Sequence, residues 1–413
     1  MCSFETSVFH GLNIAPVDAF YALQQSFQED THPKKTILEI GVYRNENGKP
    51  YLLPVVTSVE KAMAEDKTLD HDLLPFTGLK DLCNAATRLA LGNESTAITQ
   101  NRVSAVQSLS GTGAICLAAM FLKKFHPAKT AYVSNPTWRT HEKILTGAGY
   151  EDIRTYRYYN PKNNGLNVEG MIEDLRNAPN GSVIVLHACA HNPTGVDPSK
   201  DEWQQIANVI QEKNHFTIFD MAYQGFATGD LDTDAAAVRR FAERGLEFLC
   251  GQSFAKTFGL YNERVGNLFL VCKESSVAAA FQAHITAILK PMYGNPPNHG
   301  ARIVATILNN PALTAEWKDQ LKGMSDHIKK SRKLLYEKLK ALGTPGDWQH
   351  IIAQNGMFTL SGLNPKQVDH LSRKFHIYLL KNGRINMSCI NPANCDYIVE
   401  AIHDAVTCCD TSL

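Results

Sequence analysis

Between residues 182 and 272 the sequence returns four times to a short apolar run: "SVIVLHA" (182–188), "FTIFDMAY" (216–223), "EFLCGQSFAK" (247–256) and "ERVGNLFLVC" (263–272). Runs of this kind, buried on both faces and separated by helical patterns, dictate a mostly parallel sheet in an α/β domain. One such helix is expected in "DPSKDEWQQIANVIQEKN" (197–214), opened by Pro198 and by acidic residues. The last third of the chain differs. A long helical pattern from about Trp317 to Leu342 precedes two shorter strands, "GMFTLSG" and "GRINMSC", so a smaller α+β domain is expected there. The segment up to about residue 48 has no core of its own and is expected to pack with that domain.

In open α/β sheets, ligands bind beyond the carboxyl ends of the strands. The residues just after the apolar runs are therefore the ones to inspect. Asp220 follows "FTIF", with Tyr223 three residues on; Asn192 follows "VIVLHACAH"; Lys256 follows "FLCGQSF". Each alone reads equally well as a turn or cap residue. Together, on adjacent strand ends, they put an amine, a carboxylate, a phenol and an amide into one crevice. Lys256 has an apolar, small-residue setting, unlike a lysine on a solvated helix face.

A second signal is "SLSGTGAICLAAMFLKKF" (108–125), where Ser110, Gly111 and Thr112 open an apolar helix. Small residues at a helix N-terminus leave backbone N–H groups unpaired at the positive end of the dipole, which suits a phosphate. The stretch is neither a Walker loop nor GxGxxG, and by itself it is also a good structural cap. Arg264 adds a fork of donors for the same phosphate. Pyridoxal phosphate is the cofactor that uses the whole set: Lys256 for its aldehyde, Asp220 to keep its ring nitrogen protonated, Asn192 and Tyr223 for its ring oxygen, and an anion cradle for its phosphate.

Composition narrows the partners. The chain has 413 residues with 41 basic and 41 acidic side chains, so no global field favours nucleic acid or an anionic membrane, and small-molecule substrates are expected. Its ten cysteines form no CxxC pair, which argues against a zinc or disulfide framework. No apolar run approaches the roughly 20 residues that span a bilayer, and the N-terminus shows no signal or transit pattern. A cytoplasmic location is expected. His187 and His191, four apart, do not read as a metal pair, because a strand-to-loop transition lies there rather than a helix. No metal is expected.

At these residues the sequence resembles the eukaryotic, cytosolic-like aspartate aminotransferases, class I pyridoxal-phosphate enzymes of fold type I. The likeness runs over nearly the whole chain and rests on "SNPTW", "HNPTGVDP", "DMAYQGFATG", "SFAKTFGLYNERVG", "NPPNHGARIV" and "GRINM". It implies a large domain with a mostly parallel seven-stranded sheet between helices (49–325), a smaller α+β domain (326–413) and an N-terminal arm completing it (1–48). It also implies a homodimer whose active sites draw on both subunits. By the resemblance, Trp138 stacks on the cofactor ring, His141 and His187 orient Asp220, and Ser110, Gly111, Thr112, Ser253 and Arg264 cradle the phosphate. Arg384 clamps the substrate α-carboxylate, and Gly41 lies where the N-terminal segment closes over the substrate. Lys256, Asp220, Tyr223 and Trp138 are the expected catalytic set. The implied reaction is a ping-pong amino transfer between L-aspartate and 2-oxoglutarate, giving oxaloacetate and L-glutamate through the pyridoxamine form.

Two positions depart from the family pattern. Where the family places an arginine for the substrate's distal carboxylate, reached across the dimer interface, this chain has Lys290 in "AILKPMYGN". Lysine keeps the charge but loses the planar fork. The alternative is therefore a broad-specificity aminotransferase that also accepts aromatic amino acids and methionine. Where the family has a tyrosine that reaches the neighbouring subunit's phosphate, this chain has Leu73, which cannot donate that bond, so looser cofactor retention is expected.

Overall fold

The computed structural model describes residues 7–409, so the first six residues of the expected arm and the last four of the expected small domain lie outside it. A seven-stranded sheet forms the centre. In spatial order it runs Val103–Leu109, Val265–Val271, Phe248–Ser253, Phe216–Met221, Val183–His187, Thr130–Asn135 and Asp152–Arg157. The five strands from Phe248–Ser253 to Asp152–Arg157 run parallel to one another, but Val265–Val271 is antiparallel to both of the strands it lies between. The helical pattern expected between the last two apolar runs is absent. Only the turn carrying Lys256 joins them, and a connection that short reverses the chain instead of crossing over.

That reversal matters for the site. It brings the N-terminal end of Val265–Val271, with Arg264, to the edge where the parallel strands end. Strands 183–187, 248–253 and 265–271 are buried throughout, as their continuous apolar character requires. Helices cover both faces. Ser110–Phe125 packs against the strands Val265–Val271 and Phe248–Ser253. The expected helix after "HNPTG" spans Lys200–Glu212 and begins after Pro198. Ser199 takes the cap instead, in a capping box with Glu202.

The long C-terminal helix is Pro311–Ala341, starting six residues before Trp317 because Asn310 caps it and Pro311 suits its first turn. It runs unbroken across the expected boundary at 325/326. Near its start Trp317 is fully buried, stacks on Phe258 with ring centroids 4.5 Å apart, and donates its indole N–H to the Thr257 carbonyl at 2.9 Å. Beyond it lie a two-stranded antiparallel pair, Phe358–Leu360 with Arg384–Asn386, and a parallel pair joining Thr36–Ile37 to Ile377–Tyr378. The N-terminal segment is thus woven into the C-terminal part. The nine described cysteines are free thiols, and no helix among the described residues is long and apolar enough to cross a membrane.

Candidate active site

The strand ends converge on a cavity of about 210 Å³. Lys256, Asp220, Tyr223 and Asn192 line it, as do Ser110, Gly111, Thr112, Ser253 and Arg264. Trp138 and Gly41 complete it on the side where it meets a second cavity of about 320 Å³, whose walls include Arg384. The two cavities share Gly41, Trp138 and Asn192. One crevice therefore has an inner and an outer compartment.

At the floor, Asp220 is buried and lies beside His187 in the adjacent strand. Burial alone would raise its carboxyl, but a hydrogen bond with His141 Nε2 at 3.1 Å, together with the charges of His141 and Lys256, holds it below the usual range. His141 is itself fixed by Thr137 Oγ1, 2.8 Å from Nδ1. The expectation for His187 needs correction. Its ring stands 5.1 Å from that of His141, yet both of its nitrogens are buried without a partner and neither bonds Asp220. Burial and the neighbouring histidines push it well below the ordinary imidazole value, so it packs as a neutral ring. Ligand atoms of His141, His187 and Asp220 lie within 4.8 Å of one another, a grouping distinct from the His187/His191 pair weighed in the sequence.

Lys256 is half-buried, its Nζ 4.5 Å from the centroid of the Tyr223 ring. Desolvation lowers its amine to about 8 against the opposing pull of Asp220, with Arg384 and Arg264 adding to the lowering. Burial pushes the Tyr223 phenol upward, so it stays a neutral donor. Lys256 follows Ser253 so closely because the strand ends there and turns back, a turn buttressed by Trp317.

The opposite end is built for an anion. Ser110–Phe125 starts without a side-chain cap, so no side chain takes up the N–H groups that follow Ser110 in its first turn. Ser110 Oγ lies 2.9 Å from Ser253 Oγ, and the Ser110 N–H donates to the Arg264 carbonyl at 2.9 Å, both residues standing in the left-handed region at φ 60° and 54°. Small residues are obligatory here. A Cβ on Gly111 would come within 3.0 Å of Ser253 Cβ, and one on Gly266 within 2.5 Å of the Ser110 backbone. Thr112 and Arg264 are exposed at the mouth, where Arg264 Nη1 donates to the Tyr261 carbonyl at 3.0 Å. A low-pKa carboxylate, a depressed amine and an anion cradle in one cavity match the three ends of pyridoxal phosphate.

In the outer compartment Arg384 lies over the Phe358 ring at 4.0 Å, and its Nη1 donates to Asn192 Oδ1 at 2.7 Å. Sequence reasoning missed Glu39, which pairs with Arg384, and Arg139, which lines the same wall. The signal for Glu39 was a lone acid in the apolar stretch "TILEIGV". Lys290 is not brought to this site. It is exposed near the end of helix Ser275–Tyr293, with Nζ 4.8 Å from the centroid of the Phe76 ring. Leu73 is likewise on the surface, 79% exposed.

The sequence pattern described as "Aminotransferase class I and II" matches residues 33–402. The chain is 48% identical to "Aspartate aminotransferase, cytoplasmic" of Gallus gallus, over 97% of this chain and 98% of that one. Its fold superposes on the aspartate aminotransferase from Saccharomyces cerevisiae cytoplasm with a TM-score of 0.95 at 40% identity, covering 98% of this chain and 99% of that one. It also superposes on an aromatic-amino-acid aminotransferase from Burkholderia pseudomallei, covalently bound to pyridoxal phosphate, with a TM-score of 0.94 at 39% identity, over 97% and 100% of the two chains.

Proposed function

The chain belongs to the class I and II aminotransferases, and on that premise we propose that it moves an amino group from L-aspartate to 2-oxoglutarate, giving oxaloacetate and L-glutamate. The observation that carries the reading is the meeting of Lys256, Asp220 and the anion cradle in one cavity of a chain 48% identical to an aspartate aminotransferase. When bound, pyridoxal phosphate supplies an aldehyde that takes the amino group and a protonated ring that draws electrons from the amino acid's α-carbon.

The residues divide the remaining work. Asp220, held by His141, would keep the proton on the ring nitrogen. Lys256 is the group to accept and return the α-carbon proton, for which an amine near neutrality is suited. Ser110, Gly111, Thr112, Ser253 and Arg264 would hold the phosphate, and Asn192 and Tyr223 would donate to the ring oxygen. Trp138 forms the wall between the compartments and would help keep water from the cofactor. Arg384 orients the α-carboxylate, and Gly41 lies on the segment closing over the substrate.

A homodimer completes the site in this reading, because Lys290 lies outside both cavities of its own chain. A second copy would bring it to the distal carboxylate. The division into residues 1–48, 49–325 and 326–413 and a cytoplasmic location belong to the same proposal, the latter supported by the names of the relatives. A broader range that takes in aromatic amino acids and methionine is the second reading. Lys290 favours it, as does the likeness to a broad specificity aminotransferase from Leishmania mexicana. Borohydride reduction of the holoenzyme followed by peptide mapping should tag Lys256. A tag on any other side chain overturns the assignment. A panel of amino donors with 2-oxoglutarate then separates the two ranges.

A further inference from the structure

The outer compartment holds a carboxylate that the exchange leaves without a task. Glu39 is fully buried and meets the Arg384 guanidinium side-on: Nε donates to Oε2 at 3.0 Å and Nη2 donates to Oε1. With Nη1 already donating to Asn192, three of the five guanidinium N–H groups are engaged. Movement of the Glu39 segment does not relax this pair, because the segment is fastened to the Arg384 strand. Asn386 donates its backbone N–H to the Leu38 carbonyl at 2.7 Å and its side-chain amide to the carbonyls of Ile40 at 2.7 Å and Val42 at 3.1 Å. On the other side Leu38 donates to the Tyr378 carbonyl at 2.9 Å. Carboxylate and guanidinium share one rigid frame.

We propose that Glu39 is a specificity-determining residue, a resident competitor that partly occupies and neutralises Arg384 and so weakens the enzyme's hold on substrate α-carboxylates. The inference rests on the reading of Arg384 as the α-carboxylate clamp. An arriving carboxylate finds an ion pair in place of a free cation, takes the donors that remain, and approaches a buried like charge as it does so. Burial pushes the Glu39 carboxyl up, and the charges of Arg384 and Arg139 pull against it, so its charge depends on the guanidinium beside it. Recognition then leans less on the α-carboxylate and more on the rest of the substrate.

The test uses the holoenzyme. Glu39→Gln keeps the shape and one acceptor but removes the charge. It should tighten calorimetric binding of succinate, an unreactive dicarboxylate, about tenfold, and lower KM for aspartate by a similar factor. If Glu39 instead only positions Arg384, both constants rise, and the proposal fails; unchanged constants also overturn it. Arg384→Ala separates the layers. Succinate affinity untouched by that change removes the clamp reading and this inference with it, whereas a loss there with no gain in Glu39→Gln removes the competitor alone. Should the variant not fold, the wild-type enzyme still decides. Its preference in kcat/KM for phenylalanine over phenethylamine, which lacks the carboxylate, should stay below about 10³. A ratio of roughly 10⁴ or more, expected of a polar site built for that group, contradicts the proposal.

Discussion

Replacing Gly266 by alanine should damage the phosphate end of the inner cavity while leaving the lysine untouched. Gly266 pairs with Ser108 and Ser253 in the sheet, and the added Cβ would stand 2.5 Å from Ser110 C, 2.6 Å from its O and 2.7 Å from its Cα. Those atoms are backbone, so no side chain can swing aside. Restoring ordinary contact at roughly 3.5 Å requires a displacement of about 1 Å at the start of the helix. Overpacking of this kind costs about 1–3 kcal/mol. The displaced N–H groups belong to the cradle, so cofactor affinity should fall about tenfold, which takes about 1.4 kcal/mol from the stabilisation that a fixed excess of cofactor confers. Denaturant unfolding with and without pyridoxal phosphate measures both quantities. Gly147→Ala is the control, since Gly147 ends helix Thr140–Gly147 with nothing within 4 Å of its would-be Cβ. It should be neutral or stabilising by up to about 1 kcal/mol. A Gly266→Ala enzyme with unchanged stability and cofactor affinity would refute the steric argument.

In the cofactor-free protein, arylation of Lys256 should show a midpoint near 8; a midpoint at the ordinary 10.5 would mean that its burial does not desolvate the amine. Because the folded value is depressed, the unfolded chain binds more protons between the two values, so this group's contribution to stability should rise with pH from about 8 to about 10.5. Lys290→Arg should raise the kcat/KM ratio of aspartate to phenylalanine by roughly ten- to a hundredfold by restoring a fork of donors, and an unchanged ratio would remove Lys290 from substrate selection. Leu73→Tyr should slow cofactor dissociation about fivefold, corresponding to about 1 kcal/mol, and equal rates in stopped-flow exchange would count against a phosphate contact from that position.

The sheet and the inner cavity were legible because local rules placed them. Asp220, Asn192 and Lys256 each follow a buried run, and a parallel sheet brings such positions to one edge. Arg264 joins them through a reversal of direction that the apolar runs do not encode; it depends on how few residues lie between two strands. The Glu39–Arg384 pair was hidden for another reason. Its members are 345 residues apart, and periodicity carries no information about which buried charge meets which. His187 had the right address and the wrong role, since strand neighbours share a register without sharing a hydrogen bond. Lys290 and Leu73 are surface residues that line neither cavity of their own chain, and a sequence pattern cannot tell on which side of a boundary a residue acts.

Trp317 anchors the early turns of a 31-residue helix to the carbonyl next door to the reactive amine. The far end of that helix packs against the C-terminal helix Cys395–Cys408, where Lys338 pairs with Asp396. A single unbroken rod thus joins the backbone beside the amine to the last helix of the fold, so loosening the indole would disturb both the reactive turn and the packing at the rod's other end.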